Sequence, residues 1–194
     1  LYMRDILNWT EAEVLLLQAL PMAGVLVTAV TFGSWSDRFG SRPLLRLALW
    51  AQLSIVFFWL GSALEIYRVT HTVAGVILLF WGASTVLHVV PQVRFMLGCS
   101  PPDEVTVSMP LFNMIQSLVG GLSPITVGLL LQQFSGGRSH TGFIAYFALA
   151  AAITLAAHYL LSQVSEPKAV PTRRMMRTLL FSWPMRFFSD STRN

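Results

Sequence analysis

Polar side chains recur at helical spacing inside two otherwise apolar stretches. Trp81, Thr85, His88 and Gln92 follow one another at intervals of four, three and four, which puts them on one face of a helix. Asn113, Gln116, Gly120 and Pro124 share a face of the next stretch by the same logic. These groups can hydrogen-bond water or a solute. They can equally bond a neighbouring helix, a contact worth roughly 0.6–2 kcal/mol in lipid. An imidazole titrates near neutral pH, so His88 is a candidate proton carrier as well as a packing residue. Gln18 and Gln52 are weaker candidates of the same kind. Covalent chemistry has no comparable set. The sequence holds no His-Glu-x-x-His run, no Gly-x-Ser-x-Gly elbow, no phosphate loop, and no Cys and His at metal-ligand spacing. The expectation is a protein that is not an enzyme and carries no cofactor and no metal.

The elements that position these side chains follow from the charges. Only 11% of the 194 residues are Asp, Glu, Lys or Arg, and 54% are hydrophobic. A soluble domain carries about 25% charged residues, so this chain is an integral membrane protein. Disorder is excluded as well, since it requires high charge and low hydrophobicity. The charges are bunched, leaving uncharged runs at 14–36, 47–64, 69–93, 105–137 and 139–165. About 20 apolar residues cross a hydrocarbon core as a helix. Only a helix or a closed barrel satisfies its backbone there, and these runs lack the alternation of barrel strands. The fold class is therefore all-α, a polytopic transmembrane helical bundle with five spans near 13–35, 43–64, 70–94, 105–133 and 141–164.

Five spans put the ends of the chain on opposite sides. Arg4, Arg68 and Arg138 fall on one side. Arg38, Arg42, Arg46, Arg94, Lys168, Arg173, Arg174, Arg177, Arg186 and Arg193 fall on the other. The basic side is cytoplasmic, so residues 1–12 are the end of an external loop and residues 166–194 a cytoplasmic basic tail. The membrane expected is the cytoplasmic (inner) membrane. The net charge of +4 needs no nucleic acid to explain it. Thr10 and Glu13 read as a capping box opening the first span. Cys99 reads as a free thiol near a helix end, His71 and His140 as residues of the external ends, and His158 as structural. The tail, with Arg173, Arg174, Arg177, Trp183 and Pro184, is either an interfacial amphipathic stretch or a disordered segment.

Between the first two spans the chain reads Gly33-Ser-Trp-Ser-Asp37-Arg38-Phe-Gly40-Ser-Arg42-Pro43. Gly40 can take a positive φ and Pro43 suits a first helical turn. Asp37 at a helix C-terminus opposes the macrodipole and needs a partner. This loop resembles the Gly-x-x-x-Asp-Arg/Lys-x-Gly-Arg/Lys-Arg/Lys signature of the major facilitator superfamily of secondary transporters. Gly33, Asp37, Arg38, Gly40 and Arg42 match, and Ser41 departs where the family has a basic residue.

The resemblance implies a conformational latch at the Asp37 loop and transport of a small solute by alternating access. In the family the loop follows the second and the eighth span. Three spans follow it here, which fits the second copy and spans eight to twelve. The expected partners are the lipid bilayer, a small-molecule substrate and an N-terminal half of the same protein, absent from this sequence, which opens Leu-Tyr-Met. The stripes at Trp81, Thr85, His88 and Gln92 and at Asn113 and Gln116 would then lie on the tenth and eleventh helices and line the aqueous pathway on the cytoplasmic half. Pro110, Gly120, Gly121, Pro124 and Gly128 would give the eleventh helix a bend or a close-packing groove. Asp103 and Glu104 read as helix N-terminal charges. The alternative is a non-transporting membrane protein of the same fold, such as a receptor, assembly factor or structural subunit.

Overall fold

The computed structural model describes residues 2–32, 39–99, 105–135 and 140–164, together with Met175. Five long helices carry almost all of them, with no strand among the described residues. A short helix, α1 (Tyr2–Asp5), precedes α2 (Glu11–Phe32), α3 (Ser41–Ala63), α4 (His71–Cys99), α5 (Val105–Ser135) and α6 (His140–Gln163). Each of the five is long and apolar enough to cross a membrane.

The boundaries lie close to the ends of the uncharged runs, with one instructive difference. Helix α4 continues five residues beyond the expected end at Arg94 and closes at Cys99. A charge marks where hydrocarbon ends, but the headgroup region accepts both Arg and helical backbone. The start of α2 shows local chemistry at work. The Thr10 N–H and hydroxyl both donate to Glu13 Oε2 at 2.8 Å, and the Glu13 N–H donates back to Thr10 Oγ1 at 3.3 Å. That reciprocal pair is the capping box, and it satisfies donors that the helix cannot.

The helices stand in a row, in the order α2, α4, α3, α6, α5. Helix α3 sits at the centre, packed on α4 and on α6. The row bends, because the Tyr2 ends of α2 and α6 face each other across a cleft floored by α3 and α4. Helices α2 and α4 meet backbone to backbone. A Cβ on Gly24 would fall onto the Leu79 carbonyl oxygen, and one on Gly82 onto the Pro21 carbonyl oxygen. Each helix thus offers a carbonyl to a glycine of the other, three residues apart on both. In lipid, association depends on such close contact, since lipid tails are as apolar as the helices.

The aromatic core lies at the Tyr2 end. Tyr2 is buried edge-on against Trp59, Phe143 and Phe147, at ring centroid distances of 5.9, 5.1 and 5.6 Å. Its hydroxyl shares a 2.8 Å hydrogen bond with Ser62 Oγ. Edge-to-face geometry sets the positive ring edge on the negative ring face. Helix α5 is the exception to this packing. Leu131 is buried and Val127 packs on the core, but Leu111, Met114, Leu118, Leu122 and Ile125 are each more than half exposed. In the tail, Met175 is helical and fully buried, so that residue packs against protein.

Candidate functional site

The bend in the row encloses a cleft of about 300 Å³. Helices α2, α3, α4 and α6 all contribute, through Gln18, Trp59, Trp81 and Tyr146 among others, and Tyr2 and Met3 close one end. The walls are mainly apolar and aromatic, with the Gln18 amide and the indole and phenol groups as polar handles. Pockets of this composition bury an apolar body and fix its orientation through a few polar contacts.

Of the α4 stripe, Trp81 reaches the cleft lining. Thr85 Oγ1 donates to the Trp81 carbonyl at 3.0 Å, and Ser84 Oγ donates to the same carbonyl at 2.8 Å. Those hydroxyls are satisfied on their own helix, a common solution for Ser and Thr. The same occurs at Ser54, Thr126 and Thr154. His88 is half-buried, and its Nδ1 is buried with no hydrogen-bond partner. Gln92 is half-buried on the same helix. Asn113 and Gln116 lie on exposed positions of α5. Helix α5 packs on α6 and touches α4 at few points.

In the loop signature, Gly33, Asp37 and Arg38 lie outside the described residues, as do Asp103, Glu104 and the basic residues of the tail. Gly40 and Arg42 are described. Gly40 has φ 83° and ψ 169° at the N-cap of α3. That region is essentially reserved for glycine, because a Cβ there collides with the backbone. Pro43 sits in the first turn of α3, fully buried. Arg42 does more than meet headgroups, because its Nη2 donates to the Ser162 carbonyl oxygen at 2.8 Å. Ser162 lies in the last turn of α6, where carbonyls lack helical partners and the dipole is negative. The guanidinium therefore ties the start of α3 to the end of α6.

The opposite end is bound by mixed contacts. Trp9 stacks on His71 at 4.3 Å, and His71 Nε2 lies 3.3 Å from Glu13 Oε1. His140 Nδ1 lies 3.4 Å from Glu65 Oε1. Toward the Arg42 end, His158 packs edge-on against Trp50 at 4.8 Å. Burial raises the pKa of the Tyr2 phenol, opposed by the Ser62 hydrogen bond and reinforced by the nearby Glu65 charge. The Tyr67 phenol is raised by burial and then by Tyr2, and its hydroxyl donates to the Phe58 carbonyl.

The spacing in the sequence picks out Trp81 but not Tyr2, Trp59 or Tyr146, which line the same cleft. An aromatic in an apolar run gives no periodic signal of its own. The Gly24–Gly82 contact was also missed, although two glycines in facing spans were the available sign. A Cβ added at Gly120, Gly121 or Gly128, the glycines singled out on α5, would meet no side chain or neighbouring helix within 4 Å. No three His, Cys, Asp or Glu side chains converge as a metal site would need, among the described residues.

A family model described as the Major Facilitator Superfamily matches residues 1–190. No curated protein and no solved structure matches the chain significantly.

Proposed function

The chain belongs to the major facilitator superfamily, and on that premise we propose that it forms part of a secondary transporter moving a small solute by alternating access. The family match across residues 1–190 carries the reading. The packing supports it. Helices α2, α4, α3 and α6 form one connected block, whereas α5 turns Asn113 and Gln116 away from it. Amides facing hydrocarbon would cost free energy. Facing water or a second bundle, they can line a pathway. In this reading Trp81, Thr85, His88 and Gln92 belong to the same pathway, approached from α4. Gly33, Asp37, Arg38, Gly40 and Arg42 form the latch, with Arg42 anchoring it to α6.

The five spans then take the places of spans eight to twelve, and an N-terminal half of the same protein covers α5. The end of α6 and the residues after it face the cytoplasm, by the distribution of Arg and Lys. The test is uptake by the full-length protein at matched surface expression. Asn113→Leu and Gln116→Leu should each lower the uptake rate about tenfold, the cost of one polar contact to the moving solute. Unchanged rates in both would remove α5 from the pathway.

A further inference from the structure

We infer that a second, polar pocket at the Tyr2 end of the bundle binds a small zwitterion of the amino-acid type. The pocket measures about 590 Å³ and lies where the α1–α2 turn, the α3–α4 connection and the start of α6 converge. Its volume is within the range of small-molecule sites. Asn8, Glu65, Arg68 and His140 line it, with Ile6 and Val69 as apolar wall.

Two observations point to a ligand bearing both charges. Arg68 is exposed into this space and forms no hydrogen bond or ion pair among the described residues. Its guanidinium presents a planar fork of donors that matches a carboxylate. Glu65 meets His140 Nδ1 at 3.4 Å, an ion-pair distance without hydrogen-bond geometry, and that nitrogen is otherwise buried without a partner. The Glu65 carboxylate is mostly exposed and can accept an ammonium. The backbone places both charges on one short connection. Glu65, at φ 58°, closes α3 as a left-handed cap: its N–H donates to the Ser62 carbonyl at 3.0 Å and the Ile66 N–H to the Gly61 carbonyl at 3.1 Å. Glu65 at that cap and Arg68 just after it both line the pocket. Ile6 and Val69 beside them suit a hydrocarbon side chain.

Binding at this pocket does not depend on transport, so its failure and that of the transport reading are separable. The probe is L-phenylalanine, titrated calorimetrically into the full chain in lipid nanodiscs. Hydrocinnamate lacks the ammonium and phenethylamine lacks the carboxylate. L-Phenylalanine should bind saturably, and each analogue should bind about tenfold or more weakly, since a charged group left unpaired loses its hydrogen bonds. Arg68→Gln and Glu65→Gln should reproduce those losses, with thermal unfolding confirming that the variants fold. The analogue series needs no variant and decides the matter should either fail to fold. No saturable binding up to about 10 mM, or equal binding of the analogues, overturns the assignment.

Discussion

Tyr2 shows how much one side chain contributes when it joins several elements. Its ring contacts α3 and α6, its hydroxyl bonds Ser62, and it borders both pockets. Tyr2→Phe keeps the ring and removes the hydrogen bond, so it should destabilise the detergent-solubilised protein by about 1 kcal/mol at neutral pH. The pH dependence follows from the raised phenol pKa. The folded protein holds the proton more tightly than the unfolded chain does. This contribution is fully present below the ordinary tyrosine value of about 10 and is lost as pH rises through the folded value. Thermal unfolding measured from neutral pH to above pH 10 should therefore show a smaller alkaline decline in Tyr2→Phe than in the parent. Gly40 was legible at this scale, because a glycine between two helices has one common use. Arg42 was only half legible. A basic residue at a helix start reads as a headgroup anchor, and nothing local reveals that the end of a helix 120 residues away lies within reach.

At the scale of elements, charge-free runs located all five helices, because lipid enforces helical backbone wherever charges are absent. They could not say which helix touches which. In water an amphipathic stripe reveals the buried face, but a span is apolar on all sides. The contact between α2 and α4 rests on Gly24 and Gly82, each against a backbone carbonyl that cannot move aside. Gly24→Val and Gly82→Val should each cost about 3 kcal/mol or more, read as a lowered midpoint of thermal unfolding in detergent. Gly120→Val, where an added Cβ would meet nothing within 4 Å, should leave the isolated chain unchanged. Gly75 is intermediate, since a Cβ there would meet the end of the Leu20 side chain, which can rotate. A Gly82→Val protein as stable as the parent would show that the two helices are not closely joined.

Across the whole molecule, orientation is the property that the charges state and the helices alone do not. In the proposed orientation, with the basic ends cytoplasmic, the α3–α4 connection faces outside. In a Cys99→Ser background, Ile66→Cys should react with a membrane-impermeant maleimide in intact cells, because Ile66 is 71% exposed on that connection. A tag after Asn194 should become accessible only after permeabilisation. The reverse pattern would invert the topology. The class of fold was visible in composition alone, since 11% charge rules out a soluble surface of this size. The row order was not visible, because α2 and α4 are separated by a whole span and chain order gives no distance between non-neighbours. The cleft stayed hidden for the same reason, being made of residues from four helices, with Tyr2 and Met3 closing one end.

The row order also dictates a timetable for biogenesis. The main partner of α2 is α4 rather than α3, which follows it in the chain. During synthesis α2 must leave the insertion machinery and wait in lipid while α3 and then α4 are made. At about 5–20 residues per second that delay is several seconds. Through that interval Gly24 and the carbonyl of Pro21 lack the partners that α4 supplies. Assembly is thus paced by translation: any slowing of elongation between Phe32 and Cys99 lengthens the time in which an unpaired helix is open to capture by the wrong neighbour or by quality-control proteases.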